Sequence, residues 1–437
     1  MTETAEPPSY DDHGFEALAI SSNERQSDLP AYSRRPTPPP AAAPVEREPR
    51  VFSYQITNRG GKPLAAMAIN GDPRLTKVIP TILAGSNVTG SVSLTLQSGD
   101  PIQEVCLVLK GEIVNGDVPI QRTAFVELKK TLWSTAEGDP LQPSMSGKNW
   151  NGKLKGDYNW PFSIELQTTV SKNGQTYNLP HTFLERLARF SVQYTLELRL
   201  LRSKLRTDDK LTATFGYFSM RQPDPPSPLR KLAYQENSPL LGPESDPEGW
   251  HTLEPFSIDG VVFSARYVSV KCTFSLAKPL CYTRASSIPC SLTIETSDPQ
   301  ALDLLSSPKA PFVYLERLIR SNTDDPSRAV DVFGSTYGRE PCGQAVFWPS
   351  NEGVPTDTSS QRRLDGEVHL RNNLQPSSAV AGFAVEYALL VFPFQVAGFK
   401  AADNSPLVRQ DVEIVTRYSS GLDRKRIRRR LTRPIIR

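Results

Sequence analysis

Histidine and cysteine, the residues on which most metal sites and nucleophilic active sites depend, are scarce in this chain of 437 residues. The five cysteines are an odd number, and no two of them have the CxxC spacing of common zinc ligands. The four histidines are scattered, and no serine or cysteine nucleophile signature accompanies them. We therefore predict neither a disulfide framework nor a metal site, we expect no cofactor, and we expect the protein not to be an enzyme.

Long apolar runs are also missing, apart from residues 379–399, which approach the ~20 residues that a membrane-spanning helix needs. Within this stretch apolar side chains recur at every second position from Phe383 to Val391, which predicts a strand in the core and not a helix. The first thirty residues contain acids and prolines where a signal peptide needs a basic start and an apolar segment. We therefore expect a cytoplasmic protein without a transmembrane segment.

The net charge is small, because the chain has 50 Lys and Arg and 47 Asp and Glu. We therefore expect no nucleic acid partner. The last fourteen residues differ, since they hold eight basic residues and no acid. This basic tail is compatible with reversible binding to an anionic lipid surface, with a nuclear-import signal, or with a merely solubilising role. The residues that would carry the first two roles are Arg424, Lys425, Arg426, Arg428, Arg429 and Arg430.

Proline is abundant, with 39 residues in the chain and nine of them in the first fifty. Those fifty residues also hold nine acids and few aromatics, which is too little apolar surface to offset the entropy of folding. We predict a disordered tail over 1–50. From Val51 onward, short apolar alternations are separated by Gly, Asp, Asn and Pro, a pattern typical of an all-β fold.

Two short proline motifs lie in this N-terminal tail. Residues 7–10 have the PPxY form, and residues 29–32 have its LPxY variant. Such a segment is preset for the polyproline II helix, which loses little entropy when it binds the aromatic groove of a WW domain. One copy is expected by chance in so Pro-rich a segment, but two copies 22 residues apart suit tandem WW domains. The predicted WW-binding residues are Pro7, Pro8, Tyr10, Leu29, Pro30 and Tyr32.

Internal repeats indicate a duplicated architecture. Residues 93–101 reappear as 291–299 at an offset of 198, and the alternation at 190–196 reappears at 383–389 at an offset of 193. Two strands that repeat in the same order and at nearly the same interval predict two similar, immunoglobulin-like β-sandwich domains.

The intervening segments are rich in Pro, Gly, Ser and Asp. We predict long loops at 134–157 and 321–363, and we predict short helical turns at 182–187 and 300–305. The predicted organisation is a disordered tail at 1–50, a first sandwich at 51–221, a linker at 222–255, a second sandwich at 256–418 and a basic tail at 419–437.

Two sandwiches, a linker and PPxY motifs in a flexible tail resemble the alpha-arrestins, especially the fungal arrestin-related trafficking adaptors. The local similarity lies in Gly111–Ile113, Phe125–Trp133, Lys204–Leu211 and Cys281–Pro289. The resemblance extends over Val51–Tyr418 and implies two tandem arrestin-like domains with disordered N-terminal and C-terminal tails.

In that family the arrestin body recognises the cytoplasmic part of a membrane transporter or receptor, and the PY motifs recruit a HECT-type ubiquitin ligase. The resemblance therefore implies an adaptor that promotes ubiquitination and endocytosis of its cargo, and that is recruited from the cytoplasm to the plasma membrane or endosomes. A basic cluster at the end of one strand is a candidate for contact with an acidic cargo tail, although a solvated strand end has the same composition. Its residues are Arg199, Arg202, Lys204 and Arg206.

Other interpretations stay open at this point. An arrestin-fold scaffold could cluster receptors or sorting partners without a ligase, and a nuclear regulatory protein could use the basic tail for import. A sugar-processing sandwich enzyme is a more distant alternative, and it would need a convergent acidic or metal cluster in a pocket.

Overall fold

Strands account for most of the residues that the computed structural model describes, which are 48–58, 61–75, 78–116, 120–142, 153–172, 174–184, 190–203, 206–321, 336–350 and 360–419. Among them, α-helix is limited to two short segments, so the predicted all-β class is confirmed. We call residues 48–221 the N-terminal half, 222–255 the connecting segment and 256–419 the C-terminal half.

The described residues of the N-terminal half form eleven strands. They are β1 (Arg50–Thr57), β2 (Pro63–Gly71), β3 (Thr81–Leu83), β4 (Val88–Asp100), β5 (Ile102–Asn115), β6 (Gln121–Ser134), β7 (Leu154–Ile164), β8 (Thr169–Lys172), β9 (Gln175–Asn178), β10 (Phe190–Arg202) and β11 (Asp209–Phe218). One sheet has the order β1-β2-β4-β7 and a second has the order β3-β11-β10-β5-β6, while β8 and β9 form a separate hairpin. The pair β3–β11 is parallel and the others are antiparallel.

The connecting segment contributes α1 (Pro228–Glu236) and β12 (Trp250–Thr252). The C-terminal half follows with β13 (Phe256–Val262), β14 (Arg266–Ala277), β15 (Cys281–Thr283), β16 (Ser287–Glu295), α2 (Pro299–Leu305), β17 (Phe312–Ser321), β18 (Thr336–Pro349), β19 (Gln361–His369), β20 (Ser378–Val380), β21 (Phe383–Phe392), β22 (Phe399–Ala401) and β23 (Val408–Val415). Helix α2 confirms the helical turn predicted at 300–305.

The C-terminal half repeats the strand order of the N-terminal half. Its strands follow the path β15-β23-β21-β17-β18-β19-β16-β14-β13, with the short β22 at the end. Divided between β18 and β19, this path gives the orders β13-β14-β16-β19 and β15-β23-β21-β17-β18, which match the two N-terminal sheets strand for strand. Even the parallel pair recurs, because β15 runs parallel to β23 as β3 does to β11. The two sequence repeats lie on equivalent strands, β4 with β16 and β10 with β21.

The core is a cluster of buried apolar residues drawn from both halves, and strand β10 shows how the sequence places them. Its burial alternates along the whole strand, as predicted, with apolar residues inside and polar residues outside. The buried residues are Phe190, Val192, Tyr194, Leu196, Leu198 and Leu200. The equivalent strand β21 is also the predicted core strand, but residues on both of its faces are buried.

The prediction of a long loop at 321–363 is wrong, because strand β18 occupies fourteen of these residues and β19 begins at Gln361. Glycine and proline at 338–343 look like turn signals in the sequence. In the structure they belong to a strand whose pairing with β17 shifts register twice, opposite Leu315–Glu316 and Leu318–Ile319. Such irregularities accommodate residues that a regular ladder disfavours.

The connecting segment is fixed to the C-terminal half. Ser227 caps α1 by accepting a hydrogen bond from the backbone N–H of Arg230, and its hydroxyl donates to Asp246 at 2.6 Å. The buried Arg230 guanidinium donates to the carbonyl oxygens of Lys278 and Gly249. Strand β12 pairs with β14. Both α1 and β12 of the connecting segment are therefore bonded to the C-terminal half.

Candidate functional site

The residues predicted to bind WW domains, Pro7 to Tyr32, lie outside the residues that the structure describes. The same is true of the basic residues from Arg424 to Arg430. Both assignments therefore stay predictions from the sequence.

At the end of β10, the described members of the basic cluster lie beside acids. Arg206, whose side chain is 57% exposed, lies 4.0 Å from Asp100. Arg202 is buried at its guanidinium, which donates to Asp100 at 2.9 and 3.0 Å and pairs with Asp209 at 2.7 Å. Arg199 pairs with Glu197, and Lys204 lies outside the described residues. Arg202 therefore joins β10 to the ends of β4 and β11, which is a structural role.

A different site forms where the two halves meet. Thr416 donates its hydroxyl hydrogen bond to the carbonyl oxygen of Ser219 at 2.7 Å, and the Arg417 N–H donates to the Arg221 carbonyl oxygen at 2.9 Å. Beside these bonds, the rings of Phe183 and Phe383 pack with centroids 5.6 Å apart. The interface between the two halves, which we call the seam, therefore has a polar part and an apolar part.

Next to these contacts lies a cavity of 570 Å³, which we call the seam groove. Both halves contribute to its walls. The N-terminal half supplies Thr176, Tyr177, Asn178, Leu179, His181, Ser219 and Arg221, and the C-terminal half supplies Leu280, Ser377, Ser378, Ala379, Val385, Glu386, Tyr387, Asp411, Val412 and Glu413. Its size falls within the range of about 300–1,000 Å³ that ligand pockets span.

His181 is the imidazole in the groove wall. Its Nδ1 accepts a hydrogen bond from the Ser219 N–H at 3.3 Å. The ring centroids of His181 and Phe218 lie 4.8 Å apart, and the two rings are packed edge to face. Burial, together with the nearby Arg284 charge, lowers the pKa of His181 to about 4. The imidazole is therefore neutral at pH 7 and carries its proton on Nε2, which makes that atom a hydrogen-bond donor.

Two short edge strands, β9 and β20, lie beside each other in the groove. The Leu179 N–H donates to the Thr168 carbonyl oxygen, so these two residues form a hydrogen-bonded pair. Along an antiparallel hairpin such pairs alternate with pairs whose backbone groups point away from the partner strand, and Thr176 and Asn178 belong to the second kind. Thr176 and Asn178 therefore direct their backbone N–H and C=O groups away from β8. In the β20–β21 hairpin, closed by the positive-φ residues Ala381 and Gly382, the same alternation directs the backbone groups of Ala379 outward.

The charges of the groove are mainly carboxylates. Glu413 pairs with Arg221 at 2.8 Å, Glu386 pairs with Arg320, and Asp411 lies 3.2 Å from Arg409.

Asp411 is the most available of these acids, because its side chain is 79% exposed. Its partner Arg409 is shared with the buried Glu316 at 3.2 Å.

Among the described residues, no group of three or more His, Cys, Asp and Glu is arranged to hold a metal ion. Cys281, the least buried thiol, has its pKa raised to about 12 by burial and by Glu413, which keeps it protonated at neutral pH. None of the described helices has the length and apolar character needed to cross a bilayer.

Sequence reasoning missed this groove, because its walls come from strands about 200 positions apart and no local motif marks them. Compared with known proteins, the chain matches no family model and no curated protein.

Proposed function

We propose that this protein is an arrestin-like adaptor that recruits a HECT-type ubiquitin ligase to membrane transporters or receptors and so promotes their ubiquitination and endocytosis. The observation that carries the proposal is the duplicated strand order of the two halves, joined by an anchored segment, in a chain that also holds two PY motifs. Two arrestin-like sandwiches in tandem are the architecture that the resemblance implies.

In this proposal the two ends of the chain have different partners. The motifs at 7–10 and 29–32 bind WW domains of the ligase, and their separation of 22 residues corresponds to about 25 Å in a flexible chain. The basic residues of 424–430 hold the protein near an anionic cytoplasmic membrane, where its cargo resides. Ligase and cargo are thereby brought to a high effective concentration.

The direct test is titration calorimetry of the full-length protein with the tandem WW domains of a HECT ligase. Binding is expected for the natural chain and should be lost when Tyr10→Ala and Tyr32→Ala are combined. Unchanged affinity of the double variant would reject the ligase adaptor and leave the ligase-independent scaffold as the better interpretation.

A further inference from the structure

We propose that the seam groove binds an extended peptide segment of a partner protein that carries lysine or arginine alternating with apolar residues. The peptide backbone pairs with the free edge of β9, and a basic side chain meets Asp411. The proposal rests on the adaptor function only in identifying this partner as a cargo protein.

The backbone of β9 carries the first step. Residues 176 and 178 direct unpaired N–H and C=O groups from a hairpin of only two strands, and no described residue forms a ladder on that side. A two-stranded hairpin is marginally stable in water, so a third strand gains both hydrogen bonds and packing. Addition of an extended peptide to an open sheet edge is an established mode of peptide recognition.

The side chains of the groove define the peptide's chemistry. Leu179, Leu280, Val385 and Val412 supply apolar wall, which suits every second residue of an extended peptide. His181 is neutral and contributes a donor instead of a positive charge.

Charge decides between a basic and an acidic peptide. Three carboxylates line the groove, but Glu413 is paired with Arg221 and Glu386 with Arg320, so Asp411 is the acid that is left to receive a basic side chain. Since Arg409 also serves Glu316, Asp411 has the free lone pairs to accept from a lysine or arginine of the peptide. An acidic peptide would instead place a further carboxylate beside Asp411, the most exposed acid of the groove.

The test is fluorescence anisotropy of the full-length protein with a labelled octapeptide of alternating lysine and valine. The matched probe replaces each lysine by glutamate. We expect the lysine probe to bind at least tenfold more tightly, and we expect Asp411→Lys to remove most of that preference. Equal affinities for the two probes would overturn the proposal.

Two proline variants test the strand edge. Thr176→Pro removes the N–H that faces the groove, whereas Ser171→Pro removes the N–H of the residue directly opposite, on the other edge of the same hairpin. Both variants lose the same hydroxyl contact between these side chains, at 3.1 Å, which makes them a matched pair. We expect at least fivefold weaker binding for Thr176→Pro and little change for Ser171→Pro, while equal losses would reject pairing at β9.

A third variant separates a partner peptide from the chain's own basic segment. If the basic residues of 424–430 are replaced by serine, the affinity for the lysine probe should stay the same. A rise of fivefold or more would assign the groove to that segment and overturn the assignment to a partner. No WW domain is present in these measurements. A negative result for the groove therefore does not count against the ligase adaptor, and a negative result with WW domains does not count against the groove.

Discussion

The guanidinium carbon of Arg230 lies 5.4 Å from the ring centroid of Trp250, above the plane of the indole. Both residues belong to the connecting segment, and both are buried against the C-terminal half. The same guanidinium donates to the carbonyl oxygens of Lys278, which directly follows β14, and of Gly249, which directly precedes β12. One side chain therefore ties α1 to the C-terminal half and to the other end of its own segment by hydrogen bonds and by a cation–π contact. The segment that connects the two halves is therefore held in one place.

Replacing Arg230 by alanine should lower the free energy of unfolding by about 2–4 kcal/mol, because two buried carbonyl oxygens lose a charged donor and a cavity forms beside Trp250. Urea denaturation followed by tryptophan fluorescence measures the change. Lys231→Ala is the matched control on the exposed side of α1, and we expect it to stay within ~0.5 kcal/mol of the natural protein. Similar losses in both variants would contradict the anchoring role of Arg230.

The sequence predicted the β-rich fold where a pattern is local, and failed where a feature depends on distant residues. Strand β10 is recognisable from its alternation of apolar and polar residues, and the repeated stretches identify equivalent strands of the two halves. Strand β18 was missed because glycine and proline are compatible with a strand when register shifts accommodate them. Arg230 offered no signal at all, since an arginine in a proline-rich segment is ordinarily solvated.

The groove illustrates the same limit more strongly. Thr176 and Ala379 are 203 positions apart, and each belongs to a strand too short for a periodic pattern. Only the packing of one half against the other brings their edges together. A binding surface of this kind is encoded by tertiary structure, so reading motifs along the chain cannot find it.

Acidification should destabilise the protein through His181. Well above pH 6.5 the ring is neutral in both the folded and the unfolded chain, so it adds no pH dependence there. Between pH 6.5 and about 4 the unfolded chain binds a proton that the folded ring excludes, and stability falls as pH falls. The two pKa values correspond to a loss of about 3 kcal/mol.

The loss is measured as a difference between the natural protein and His181→Asn, in urea titrations at several pH values from 7.5 to 4. Asparagine places an acceptor oxygen near the position of Nδ1, so the bond from the Ser219 N–H is retained without a titrating group. The natural protein should lose stability relative to the variant only below pH 6.5. Parallel curves would show that protonation of His181 is not coupled to unfolding.

The two PY motifs should act together. Each single change, Tyr10→Ala or Tyr32→Ala, should weaken binding to tandem WW domains by at least tenfold, because it removes the avidity of the second contact. Against an isolated WW domain the same single changes should cost about twofold, since the other motif remains available. Calorimetry with tandem and isolated domains distinguishes the two cases, and identical losses in both would contradict bivalent binding.

The basic tail should make membrane binding depend on anionic lipid and on salt. Each lysine or arginine near an anionic surface contributes about 1 kcal/mol, and salt screens this attraction over a Debye length of about 8 Å at physiological ionic strength. Sedimentation with vesicles containing phosphatidylserine should therefore capture the natural protein at low salt, and replacement of the basic residues of 424–430 by serine should reduce the bound fraction at least tenfold. Vesicles of phosphatidylcholine alone are the matched control, on which both proteins should bind equally weakly. Equal capture of both proteins by the anionic vesicles would mean that another surface supplies the contact, and the tail would then be assigned to import or solubility.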